Sequence, residues 1–276
     1  VAAYWSARSR RAEAQKEPER PADAEPVVRI EEFLRVDPME LEIGFGLLRL
    51  ADRSRGGDLV ERLQQLRQDT AQNLGIILPK VRVRDNLELG PQDFTVRIRG
   101  KVVSRGSIPA ERWLVRDVSA SALGPFSTPA PEDLFGPSAW WVDSARRTQL
   151  QRQGQAVIDP AGAILHHLRV IIERHADDLL SRDQVKRLLD SLKQTCPALV
   201  EEVIPTLLSA GQVHRVLQNL LGERRSIRDL ETILEALGDQ AAVTKDLDAL
   251  TEHIRRRLDR QMVSRSREEQ FAAAVA

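Results

Sequence analysis

The stretch from Val213 to Leu237 restricts the possible folds more than any other part of the chain. Apolar residues Val213, Val216, Leu217, Leu220 and Leu221 recur at helical spacing, the run Gly222-Glu223-Arg224-Arg225 interrupts them, and the pattern resumes at Ile227, Leu230, Ile233, Leu234 and Leu237. Two helices with one apolar face each must bury those faces on one another or on further helices. Ser226 has the chemistry of an N-cap and Asp229 suits a helix start, so the spacing predicts a second helix beginning just after Ser226. The chemistry of this hairpin is packing.

The same period continues on both sides of it. Ile164, Leu168, Ile171 and Ile172 mark one helix, and Val185, Leu188, Leu189 and Leu192 mark another. Leu199, Val203 and Leu207 predict a third helix bent at Pro205, and Leu247, Leu250, Ile254 and Leu258 a last one carrying Arg255, Arg256 and Arg257 near its end. Beyond Met262 the pattern stops.

Upstream the period changes from helical to alternating. Met39 to Phe45 reads as a half-buried strand, with Gly44 and Gly46 as sites of a bulge or of close backbone approach. A helix through Leu59, Leu63, Leu66 and Ala71 closes near Gly75, and Val81 to Arg84 is a second strand. Phe94 to Val103 reads as a hairpin around Gly100, and Trp113 to Val115 as another strand. Ser119 to Pro131 is a Ser, Ala and Pro loop, Arg146 to Gly154 a short helix, and Ala156 to Ile158 a short strand. The fold class is therefore α+β: a small mixed α/β part followed by an all-helical part.

A chain of 276 residues with 41 basic and 41 acidic side chains has no formal net charge, so it has no overall attraction to nucleic acid or to an acidic surface. The single cysteine, Cys196, excludes an internal disulfide and fits a reducing compartment. No apolar run reaches the roughly 20 residues of a membrane span. At the start, Tyr4 and Trp5 followed by Arg8, Arg10 and Arg11 have the look of the cytoplasmic edge of a membrane helix, or equally of a frayed terminus. Arg8 to Pro26 has almost nothing to bury and reads as a linker, and Val27 to Leu34 holds a short amphipathic patch.

Enzymatic chemistry finds no support. His166 and His167 are adjacent, so on a helix they point about 100 degrees apart and suit no common metal ion. No cofactor is expected, because phosphate-cradling and dinucleotide motifs are lacking. Glu201, Glu202 and His214 have nothing that gathers them around a pocket. A nucleic-acid-binding helical regulator, reading through Ser226 to Gly238 with Arg224 and Arg225, would bring Glu223, Asp229, Glu231 and Glu235 against phosphates. The densest aromatic stretch is Glu132 to Val142, where Phe135 and Trp140 fit either an exposed partner anchor or the closure of a small core.

Several ordered stretches resemble the type III export-gate family in its flagellar branch. They are Met39-Glu-Leu-Glu-Ile-Gly-Phe-Gly-Leu-Leu48, Gly75-Ile-Ile-Leu-Pro79, Val81-Arg-Val-Arg-Asp-Asn86, Val157-Ile-Asp-Pro160, Pro197-Ala-Leu-Val-Glu-Glu202, Val216-Leu-Gln-Asn-Leu-Leu221, Ser226-Ile-Arg-Asp-Leu230 and Thr244-Lys-Asp246. Injectisome paralogues share the framework and form the alternative within the family. The resemblance implies a non-enzymatic, cytoplasmic part of a bacterial inner-membrane protein, tethered through a preceding membrane region. Such a protein self-associates into a ring and docks export chaperone–cargo complexes and other export apparatus components, without nucleic acid. It implies a linker over 1–37 and a first subdomain over 38–110 plus 160–179, thioredoxin-like. A second is inserted at 111–159, a helical third covers 180–259, and a tail covers 260–276 where the family has a fourth. The implied dock is a hydrophobic dimple containing Phe135, with Glu132 at its acidic position and His166 where the family has Thr. Trp140 is the neighbouring aromatic, and Asp133 replaces the usual Pro.

Overall fold

A computed structural model describes residues 36–118 and 123–260, so the linker, amphipathic patch, membrane-edge and tail expectations, with the start of the Ser119 to Pro131 loop, lie outside the described residues. The α+β fold class holds. Strand β1 (Met39–Ile43) is followed by short turns of helix that include α1 (Leu48–Ala51), then α2 (Leu59–Leu74) and β2 (Arg82–Asp85). Strands β3 (Asp93–Ile98) and β4 (Lys101–Ser107) form the expected hairpin. Its two turn residues, Arg99 and Gly100, both take positive φ, at 49° and 78°, the combination that matches a tight hairpin to strand twist. The first sheet has the order β2-β1-β3-β4, with β1 parallel to β2 and antiparallel to β3. The parallel pair is made possible by α2, which crosses between β1 and β2.

Gly44 and Gly46 are where the chain approaches itself. A side chain on Gly44 would strike the Gly90 carbonyl, and one on Gly46 would stand 2.7 Å from the Pro91 carbonyl oxygen. Only glycine allows the turn after β1 to lie this close.

The second sheet joins β5 (Trp113–Arg116), β6 (Thr128–Pro129), β7 (Ala139–Val142) and β8 (Val157–Ile158) in the order β6-β7-β5-β8, all pairs antiparallel. Helices α3 (Glu132–Phe135) and α4 (Ser144–Arg152) flank β7. Helix α5 (Pro160–Arg174) then begins with Pro160 at its first position, and the Asp159 carboxylate accepts from the Gly162 N–H at 3.1 Å.

The rest is helical: α6 (Ala176–Leu179), α7 (Arg182–Thr195), α8 (Pro197–Glu201), α9 (Ala210–Gly222), α10 (Leu230–Ala241) and α11 over residues 247–260. Two details differ from the sequence expectation. The segment Leu199 to Leu207 is not one bent helix: α8 ends at Glu201, a π-type turn spans Glu202–Leu207, and Ile204 leaves helical geometry at φ −126° and ψ 123°. Pro205 cannot supply the N–H a continuing helix needs. Likewise Asp229, not Ser226, caps the second helix of the hairpin, accepting from the Thr232 N–H at 3.2 Å. Ser226 instead accepts from the Arg228 N–H in a local turn, while the Ile227 N–H donates to the Leu74 carbonyl at the end of α2. That tertiary bond keeps residues 225–229 out of the helix.

Among the described residues, three hydrophobic clusters organise the body. One joins the first sheet, α2 and α5 with Leu114, Leu134, Phe135 and Trp141 from the 111–159 segment. A second gathers the apolar stripes of α7, α9, α10 and α11, including every apolar residue named above between Val213 and Leu237. A small third one holds Val115, Val118, Val142 and Leu150. No helix among the described residues is long and apolar enough to cross a membrane.

Candidate functional site

The site around Phe135 is assembled by α3, a single turn held by Pro131. The Phe135 N–H donates to the Pro131 carbonyl at 3.0 Å and the Gly136 N–H to the Glu132 carbonyl at 2.8 Å. Gly136 ends the turn at φ 80° and ψ 176°, a conformation open to glycine alone among ordinary residues. The turn lies flat on β4 because Gly106 has no side chain there: a Cβ would stand 2.7 Å from both Leu134 and Phe94.

This placement decides between the two readings of Phe135. Its ring is 1% exposed, so it closes a core and is not an exposed anchor. The ring packs edge-on against Trp141 at 5.4 Å between centroids and 83° between planes, and against His167 at 6.5 Å and 60°. Such edge contacts place the positive rim of one ring on the negative face of the next. Trp140 is turned the other way. Alternation along β7 sends Trp141 to the Phe135 side and Trp140 to the small cluster of Val115 and Leu150. Trp140 therefore belongs to the opposite face of the sheet, and Trp141 is the aromatic partner of Phe135. Glu132 and Asp133 are exposed on the same turn.

His166 is half-buried on α5, facing β5. The Arg116 Nη1 donates to His166 Nε2 at 3.2 Å, and because a guanidinium only donates, the imidazole carries its proton on Nδ1. Burial holds the His166 pKa below its usual value, with Arg116 and then Arg169 adding to the effect and Glu173 opposing it. His166 is thus neutral and oriented by Arg116. The Arg116 Nε is buried and without a hydrogen-bond partner.

Sequence reasoning missed His167, Ser104, Arg116 and Trp141. His167 could have been found, since it falls on the apolar stripe with Ile164, Leu168 and Ile171. Arg116 and Ser104 carry no local signal, because strand pairing brings them in. The other polar candidates are used internally. Arg225 pairs with Asp259, its Nη2 at 3.2 Å, and Arg255 lies 3.5 Å from Glu223, so the charged turn of the hairpin is tied to α11. His214 Nε2 meets the Leu180 carbonyl at 3.0 Å.

Comparison with known proteins now bears on this geometry. The model of the FHIPEP family matches residues 1–276. The chain belongs to the FHIPEP family. The flagellar biosynthesis protein FlhA of Bacillus subtilis is 37% identical over 244 residues, which cover 84% of this chain and 34% of that relative. The chain thus spans about a third of the length of the curated relatives it matches. Among solved structures, the Chlamydia pneumoniae CdsV protein matches with a TM-score of 0.71 at 26% identity, covering 86% of this chain and 67% of the other. CdsV in its complex with CdsO matches with a TM-score of 0.70 at 27% identity, covering 79% of this chain and 64% of that one. The FHIPEP chain therefore shares its α+β architecture with these proteins.

Proposed function

We propose that this chain is a docking platform of the flagellar type III protein export gate, taking export chaperone–cargo complexes on the surface around α3. The observation that carries this reading is the likeness to FlhA over most of the chain. The CdsV–CdsO complex supports the idea that the shared architecture receives other protein components. Glu132 supplies an exposed acid, His166 a neutral polar rim, and Phe135 with Trp141 the apolar floor that shapes the surface from below. Trp140, on the other face of β7, supports the sheet behind the dock. The same reading includes ring formation by self-association, a membrane tether preceding the chain at the bacterial inner membrane, and subdomains over 38–110 with 160–179, 111–159 and 180–259. Catalysis has no part in it.

A test must separate docking from folding. Phe135→Ala would remove a buried ring and cost about 3–5 kcal/mol of stability, so loss of binding in that variant would be ambiguous. Glu132→Lys changes only an exposed residue. Titrated with a purified flagellar export chaperone–cargo complex, Glu132→Lys is expected to bind about tenfold more weakly than the unsubstituted protein with unchanged circular dichroism. Equal affinities would exclude the surface around α3 as the dock.

A further inference from the structure

His167 is a buried polar side chain, 3% exposed, with a ring nitrogen, Nδ1, that has no hydrogen-bond partner. It sits where three pieces of the fold meet. Nε2 lies 2.7 Å from Ser104 Oγ on β4, and the ring packs edge-on to Phe94 of β3 at 5.5 Å and to Phe135 of α3 at 6.5 Å. In the neutral imidazole the tautomer whose Nε2–H donates to Ser104 Oγ leaves Nδ1 a bare lone pair. Adding a proton makes Nδ1 a charged donor among aromatic rings, which is costly until it finds an acceptor.

The acceptor at hand is the Leu134 carbonyl. It falls short of full hydrogen-bond geometry with Nδ1, yet as an incipient hydrogen-bond acceptor it already favours the protonated ring. Leu134 immediately precedes Phe135, so any movement that completes the bond moves the floor of the dock. The titratable groups that reach the ring are Asp133 from α3, which favours the proton, and His166 and Arg174 from α5, which oppose it when charged. Strands β3 and β4 present Phe94 and Ser104.

We infer that His167 makes the α3 surface pH-responsive: with the imidazole neutral the Phe135 turn keeps its present form, and protonation at Nδ1 pulls the Leu134 carbonyl inward and reshapes the dock. This rests on the docking reading above for its consequence but not for its mechanism. The sign follows from burial, which is the largest influence and lowers the His167 pKa. The unfolded chain takes up this proton near the ordinary histidine value of about 6.5 and the folded one only at lower pH. Stability associated with His167 is therefore complete above about pH 6.5 and declines as the pH falls from there toward the folded pKa.

Trp141, edge-on to Phe135, reports the movement without any partner. In a protein carrying Trp5→Phe, Trp113→Phe and Trp140→Phe, its emission should shift in one step with a midpoint below about pH 6.5, and His167→Gln should abolish the step. Proton NMR of the unsubstituted protein should show the His167 ring titrating with the same midpoint, which decides the matter even if His167→Gln fails to fold. A step that survives in folded His167→Gln, or a His167 ring titrating at the ordinary value, would overturn the inference. Binding of the chaperone–cargo complex should weaken about tenfold between about pH 7.5 and about pH 5.5 in the unsubstituted protein and stay level in His167→Gln. An emission step without chaperone binding at any pH would sink the docking reading and leave the switch standing.

Discussion

The charged turn between α9 and α10 and the one-turn helix α3 are short connections of similar size put to opposite uses. In the first, Arg225 is matched by Asp259, Arg255 lies beside Glu223, and Ile227 gives its N–H to Leu74. Arg225, Glu223 and the Ile227 N–H are thus occupied by the fold. Around α3 the balance is incomplete: Nδ1 of His167 and Nε of Arg116 are buried without partners, while Glu132 and Asp133 face solvent. Buried polar groups normally find partners, so the unmet ones beside α3 set it apart from the turn. The contrast separates a frame from the surface proposed above as the dock.

The largest test of the contrast lies in the frame. Leu217 is fully buried in α9, and Leu217→Ala should cost about 3–4 kcal/mol in urea unfolding. If helical signal and Trp141 emission are lost in a single transition, the two regions form one cooperative unit. If Trp141 persists after the helical signal falls, the frame unfolds by itself and the comparison becomes one between independent units.

A somewhat smaller effect is expected where the two parts meet. Gly75 ends α2 at φ 78°, and a methyl group there would meet the backbone of Arg228. Gly75→Ala should lower stability by about 2–3 kcal/mol and speed amide exchange at Ile227, whose N–H bonds to Leu74. Unchanged exchange at Ile227 would show that the turn holds its shape without α2. The smallest effect is expected from Arg225→Ala. Its ion pair with Asp259 is partly exposed, so its loss should cost no more than about 1 kcal/mol and leave α10 intact. A larger loss would mean that the charged turn helps to position α11.

The frame was legible in the sequence because a helical period is local information. Every apolar residue assigned to the hairpin stripes, from Val213 to Leu237, is buried. Gly44 and Gly46 were legible for a similar reason, since a glycine after a strand marks a demand for space. The start of α10 was not legible. Ser226 and Asp229 are both good caps, and the choice between them is made by the Leu74 carbonyl, which is distant in sequence. At α3 the residue type was legible and its role was not. Strand alternation predicts that Trp140 and Trp141 face opposite ways, but only the register Val115 to Trp140 and Leu114 to Trp141 tells which of them meets Phe135. His166 and His167 divide the same way along α5: one meets Arg116, the other enters the core.

The bond from Ile227 to Leu74 has a further consequence. It fastens the end of α2 to the start of the α10 turn, so the chain between them, with the whole second sheet, is a loop closed at its base. Lengthening or replacing the exposed segment around Phe126 leaves both ends of that loop anchored. A change there is then expected to alter the second sheet without loosening the junction of α2 with the α10 turn.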